Sequence, residues 1–96
     1  MDVTVRDAPQ LSRYEAYIGD QLAGFAAYRR EDGLIVFTHT EIDEVFEGQG
    51  VGGTLARAAL DDVRSRGLAV RADCPFIRGW IQRHPDYQDL LEHAER

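Results

Sequence analysis

Four glycines fall within six residues, Gly48 to Gly53, inside the stretch VFEGQGVGGTL that runs from Val45 to Leu55. Glycine loses more backbone entropy on folding than any other residue, so a short chain gains no stability from such a run. The run must answer a close approach to the main chain, by a ligand or, in a merely flexible strand-to-helix turn, by the protein's own packing. Helical spacing follows it. Val51, Leu55, Ala58, Ala59 and Val63 share one face, Arg64 and Arg66 suit the negative end of the helix dipole, and Gly67 offers a stop.

The residues before the glycines alternate as strands do. Arg13–Ile18 places Tyr14, Ala16 and Ile18 on one face, Gly19-Asp20 offers a tight turn, and Gln21–Arg30 reads as the partner strand. A second turn at Glu31–Gly33 leads into Leu34–Ile42, which is β-branched and aromatic. After the helix, Leu68–Cys74 reads as a fourth, long strand ended by Pro75, and two short helical patterns broken at His84-Pro85 close the chain. The order β-β-β-α-β-α-α predicts an α+β fold: an antiparallel β-meander, the glycine loop, a central helix, a further strand and short C-terminal helices. With 96 residues there is room for one core, so residues 1–96 are expected to form a single domain.

Several functions can be set aside on the same evidence. Gly48, Gly50 and Gly53 satisfy the dinucleotide fingerprint GxGxxG, and Asp73 lies 20 residues beyond Gly53. That fingerprint belongs in the first unit of a parallel sheet, however, and here it follows three antiparallel strands. Gly48 to Gly53 followed by Thr54 also imitates part of a Walker A loop, but all 11 positive side chains are arginine and the phosphate-binding lysine has no counterpart. A net charge of -6 argues against a general nucleic-acid binder. The single cysteine, Cys74, excludes an internal disulfide, and no Cys/His cluster is spaced to hold a metal. Without an apolar run of roughly 20 residues or a signal-peptide core, no membrane association is expected and the expected location is the cytoplasm. The physics shared by the rejected motifs survives: successive N–H groups at a glycine-rich helix N-terminus form a concave donor surface suited to a pyrophosphate.

At this point the chain resembles the GCN5-related N-acetyltransferase (GNAT) superfamily, whose acetyl-CoA loop, Q/R-x-x-G-x-G/A before a helix, falls on Glu47-Gly48-Gln49-Gly50-Val51-Gly52. More narrowly it resembles the small GNAT-like proteins of the YjdJ type, through Phe37–Ile42, Phe46–Leu55, Cys74–Tyr87 and Asp89–Leu91. Glu47 departs from the superfamily pattern, and a carboxylate there repels pyrophosphate unless it points away. The chain also reads as lacking the N-terminal helices of a full-length GNAT, so the acceptor pocket is expected to be shallow or completed by a partner. The resemblance implies acetyl-CoA as co-substrate, without a metal. Its pyrophosphate would rest on the amides of Gly48, Gln49, Gly50, Val51, Gly52 and Gly53, with Thr54 also in the cofactor site. Its pantetheine would run beside the strand that ends near Ile42. The implied reaction is acetyl transfer to an amine of a protein, peptide or small molecule, a lysine included; the alternative is a CoA-binding module without turnover.

Acetyl transfer needs a base, donors for the oxyanion and an acid for the departing thiolate. Cys74 ends a strand before a short helix, a position that favours thiolate, while free cysteine is also among the most buried residue types. The resemblance puts it beside the acetyl group, as covalent acceptor or as acid. His39 and Glu41 alternate onto one strand face and form a candidate base with its orienting partner; the same alternation also reads as a solvated sheet face. Tyr87 is a candidate acid by resemblance, although helix termination explains His84-Pro85-Asp86-Tyr87 equally well. Arg57, Arg78 and Arg83 are candidates for phosphate contacts. Trp80, Ile81, Leu90 and Leu91 read as core. The acidic run Glu41–Glu47 would steer a cationic acceptor.

Overall fold

The computed structural model of the protein describes residues 2–91. Five strands, β1 (Thr4–Ala8), β2 (Arg13–Ile18), β3 (Gln21–Glu31), β4 (Leu34–Ile42) and β5 (Ala69–Ala72), form one sheet in the order β1-β2-β3-β4-β5. The first three pairings are antiparallel, and β4 with β5 is parallel. Helix α1 (Val51–Ser65) makes that crossover, and helix α2 (Pro75–Gln82) and a 3-10 turn (Pro85–Leu90) follow β5. The α+β class, the meander, the central helix and the further strand are as the sequence predicts.

Three details differ. β1 precedes the expected first strand, so the meander has four strands rather than three. Its alternation is masked because an inward position is the acid Asp7, whose carboxylate accepts a 2.6 Å hydrogen bond from the Tyr28 hydroxyl. The strand expected over Leu68–Cys74 shrinks to Ala69–Ala72, because β4 stops pairing at Phe37: the N–H groups of Asp73 and Cys74 both donate to the Phe37 carbonyl at 3.0 Å, and the chain turns into α2. The second C-terminal helical pattern is realised as the 3-10 turn, and its tail, residues 92–96, lies outside the described residues.

Both helices bury their apolar stripes in one core, against the sheet face carrying Tyr14, Ala16, Ala26, Tyr28, Ile35, Phe37 and Val70. Leu55 and Leu60 are fully buried, each contributing about 2 kcal/mol relative to exposure. Polar ties add to this packing. Tyr14 donates to Asp62 at 2.6 Å, and Arg66 bridges Asp62 (3.0 Å) and Asp7 (3.3 Å), so the end of α1 is fastened across β1–β3. The opposite sheet face carries Arg6, Arg13, Glu15, Tyr17, Phe25, His39 and Glu41 by alternation. There Arg13 stacks over Phe25 and pairs with Glu15, which is itself buried and also accepts from the Tyr17 hydroxyl.

Candidate active site

The glycine loop is held by apolar anchors at its two ends. Before it, a 3-10 turn (Glu44–Phe46) is capped by the Asp43 carboxylate, which accepts from the Val45 N–H at 3.0 Å, and buries Phe46. After it, Val51 opens α1 fully buried, so only its main chain remains on the loop side. Gly48 and Gly50 have φ of 83° and 79°, a region costing other residues about 1–2 kcal/mol, and a Cβ on either would meet only open space. The remaining two glycines serve differently. A Cβ on Gly52 would come within 2.8 Å of Phe76 Cζ, so what approaches the main chain there is the protein's own α2. A Cβ on Gly53 would lie 3.9 Å from Trp80 Nε1.

The first intrahelical bond is Thr54 N–H to the Gly50 carbonyl at 3.1 Å, and Gly50 caps α1 without a side-chain acceptor. Among the described residues, no N–H group from Gly48 to Gly53 makes a well-formed hydrogen bond to a protein oxygen, and residues 47–50 close only a loose turn. A helix N-terminus leaves such donors free at the positive end of the dipole, which favours an anion. Gln49 and Thr54 are exposed beside them.

The second feature is the separation of β4 from β5. Past Phe37, β4 continues to Ile42 without a strand partner on the β5 side among the described residues. An extra residue in β4, Thr38, forms a bulge opposite Ala27 and Tyr28 and resets which side chains face outward. Thr40 therefore points to the helix side, where the Cys74 thiol donates to its hydroxyl at 3.3 Å, and Cys74 is buried at the N-terminus of α2. His39 and Glu41 point to the other face, their side chains 58% and 62% exposed and joined Nε2 to Oε2 at 2.7 Å. A carboxylate can only accept, so Nε2 carries the hydrogen and the basic lone pair of neutral His39 sits on Nδ1. The structure thus joins His39 to Glu41 and Cys74 to Thr40, on opposite sides of one strand. Ile42 lines an open pocket of about 360 Å³ between the start of β3 and the end of β4, where Glu41, Asp43 and Glu44 also lie.

Tyr87 belongs to a third cluster. Its hydroxyl donates to Asp61 at 2.7 Å and accepts from Arg57 at 3.1 Å. The Asp61 hydrogen bond, with burial second, raises its pKa. This holds Tyr87 against α1, and its hydrogen bonds reach neither Cys74 nor His39. Arg78 caps the carbonyls of Ala72 and Asp73, which end β5. A groove of about 440 Å³ joins the loop to this cluster, lined by Gly50, Gly53, Thr54, Arg57, Ala58, Asp61, Trp80 and His84. Trp80 and His84 stack within it, 3.7 Å between ring centroids. Sequence reasoning assigned Trp80 to the core, and it is 4% exposed, yet it lines this groove. The readable signal was the aromatic pair spaced by four; His84 lies past the end of α2, and its bond to the Trp80 carbonyl folds its ring back onto the indole.

Among the described residues no group of three or more metal-ligating side chains converges, and no helix is long and apolar enough to cross a membrane. The family model for GCN5-related N-acetyl-transferases matches residues 13–90. Over 62 residues the chain is 32% identical to Protein NATD1 of Gallus gallus, covering 65% of this chain and 56% of that protein. Over 63 residues it is 31% identical to Protein NATD1 of Homo sapiens, covering 66% and 52%. The chain thus spans about half the length of the curated relatives it matches. The fold agrees with the solution NMR structure of a GCN5-like protein from Staphylococcus aureus, with a TM-score of 0.70 at 23% identity over 97% of this chain and 94% of that one. With a family model spanning most of its length, from the second strand to the last turn, this chain belongs to the GCN5-related N-acetyltransferase family, a family of acyltransferases.

Proposed function

We propose that residues 1–96 form one GNAT domain, of the small YjdJ type, that transfers the acetyl group of acetyl-CoA to an amine of a protein, peptide or small molecule in the cytoplasm. The observation that carries this reading is the run of unsatisfied main-chain donors from Gly48 to Gly53 at the head of a 15-residue helix. A diphosphate supplies the acceptors they lack. From there the unpartnered edge of β4, ending at Ile42, offers main-chain groups to an extended pantetheine arm. In this reading Gly48, Gln49, Gly50, Val51, Gly52 and Gly53 hold the diphosphate through their N–H groups, and Thr54, whose own N–H is taken by the Gly50 carbonyl, adds its hydroxyl.

Acetyl-CoA supplies the activated acyl group. His39 Nδ1 takes the proton of the attacking amine, and Glu41 fixes the ring and stabilises the imidazolium. Cys74 accepts the acetyl group or protonates the departing thiolate. The protonated Tyr87 hydroxyl is the remaining candidate acid. Glu41, Asp43 and Glu44 around the β3–β4 pocket favour a cationic acceptor such as a lysine side chain. One observation favours a second reading, a CoA-binding module without turnover: the His39–Glu41 pair and Cys74 face away from each other across β4.

Calorimetric titration with CoA tests the shared part of both readings. Saturable binding to the native chain is expected, with loss of binding and a retained fold in Gly50→Glu, which puts bulk and negative charge into the donor cradle. Equal affinity in the variant would remove the loop from the site. Release of free thiol from acetyl-CoA with an amine panel separates the enzyme from the silent binder.

A further inference from the structure

We propose that the indole N–H of Trp80 is a direct hydrogen-bond donor to a phosphoryl oxygen of the ligand seated at the head of α1, an inference that rests on the CoA reading above. Trp80 is only 4% exposed, yet its indole N–H has no hydrogen-bond partner among the described residues. No buried side-chain nitrogen or oxygen of the described residues lacks a partner, so this Nε1 is not sealed in the core but is left accessible as a fixed donor. The group sits in the wall of the groove formed with Gly50, Gly53 and Thr54, 3.9 Å from where a Gly53 Cβ would stand. It is therefore a neighbour of the first-turn amides, which also lack acceptors.

The surroundings agree in sign and in rigidity. His84 stacks on the indole and anchors itself by an Nδ1–H bond to the Trp80 carbonyl at 2.7 Å, which fixes the ring plane. Arg57, one turn along α1, brings a guanidinium 5.3 Å from the indole centroid, and its bond to Tyr87 occupies only one of its N–H groups. The opposing charge, Asp61, lies eight residues beyond Gly53, roughly 12 Å along the helix axis, and is held by the Tyr87 hydroxyl. An anion is thus favoured at the Gly50–Trp80 end of the groove and disfavoured at the other. The absence of a side chain at Gly53 keeps the indole N–H uncovered.

Trp80 is the only tryptophan, so its indole ¹H–¹⁵N resonance is unique and can be followed directly. Titration with CoA, and with inorganic pyrophosphate alone, should move that resonance downfield and slow its exchange with solvent; phosphate-free pantetheine should leave it in place. In calorimetry Trp80→Phe should weaken CoA by about tenfold or more, the loss expected for a hydrogen bond to a charged group. Should that variant unfold, the resonance in the native chain still decides. CoA binding by calorimetry with an unmoved indole resonance overturns this inference and leaves the CoA reading standing. No binding of CoA at all overturns both.

Discussion

At the scale of single residues, the four glycines divide their work, and the division can be measured. Gly48 and Gly50 supply a backbone turn, while Gly52 and Gly53 supply closeness, the first to Phe76 and the second to Trp80. Replacing either helical glycine by alanine gains the same helix propensity, about 1 kcal/mol. The variants should part company elsewhere. A methyl on Gly52 must displace the Phe76 ring from 2.8 Å, an overpacking cost of roughly 1–3 kcal/mol, whereas the Gly53 methyl fits at ordinary contact distance. Thermal melts should therefore place Gly52→Ala below Gly53→Ala by several degrees. Coincident melts would mean that the Phe76 ring moves aside freely. The glycine cluster was legible as a functional loop with close packing as its alternative, but which glycines pack was not legible, because Phe76 and Trp80 come from another element 23 or more residues away.

At the scale of elements, the bond network beneath α1 sets a pH limit. Burial, then the Asp7 hydrogen bond, pushes the Tyr28 pKa up to about 12 from 10, and burial with the Asp62 hydrogen bond raises Tyr14 further. The folded state holds these protons more tightly than the unfolded chain does, so their stabilisation is complete below pH 10. It is lost as the pH climbs through about 12. Denaturant melts should show stability falling across that window, and Tyr28→Phe should be less stable at neutral pH with a shallower alkaline fall. An identical alkaline slope in the variant would contradict the assignment. The same network explains why β1 escaped the sequence reading: its inward Asp7 looks like a solvent residue until Tyr28 and Arg66 are placed beside it. The length of β5 was likewise hidden, because the end of pairing depends on Phe37 of β4 receiving two N–H groups, which no local pattern announces.

At the scale of the whole molecule, one sheet face is packed by helices and the other is left to charged and aromatic side chains. Alternation in β2, β3 and β4 made this two-sidedness readable, and the glycines followed by an amphipathic pattern located the head of α1. The relative placing of the candidate chemical groups was not readable. The Thr38 bulge decides that His39 and Glu41 face outward while Thr40 meets Cys74, and bulges leave little local trace in composition. Tyr87 reads as a chemical candidate along the chain, yet in space it joins Asp61 and Arg57, positions that a helix of known phase could have paired only with α2 already in place. The loop amides decide whether the site exists. The most direct test is a backbone ¹H–¹⁵N titration with CoA: the largest shifts should fall on Gly48, Gln49, Gly50, Val51, Gly52 and Gly53, with smaller ones along β4 from Thr38 to Ile42. Binding that leaves those six amides unshifted would contradict it.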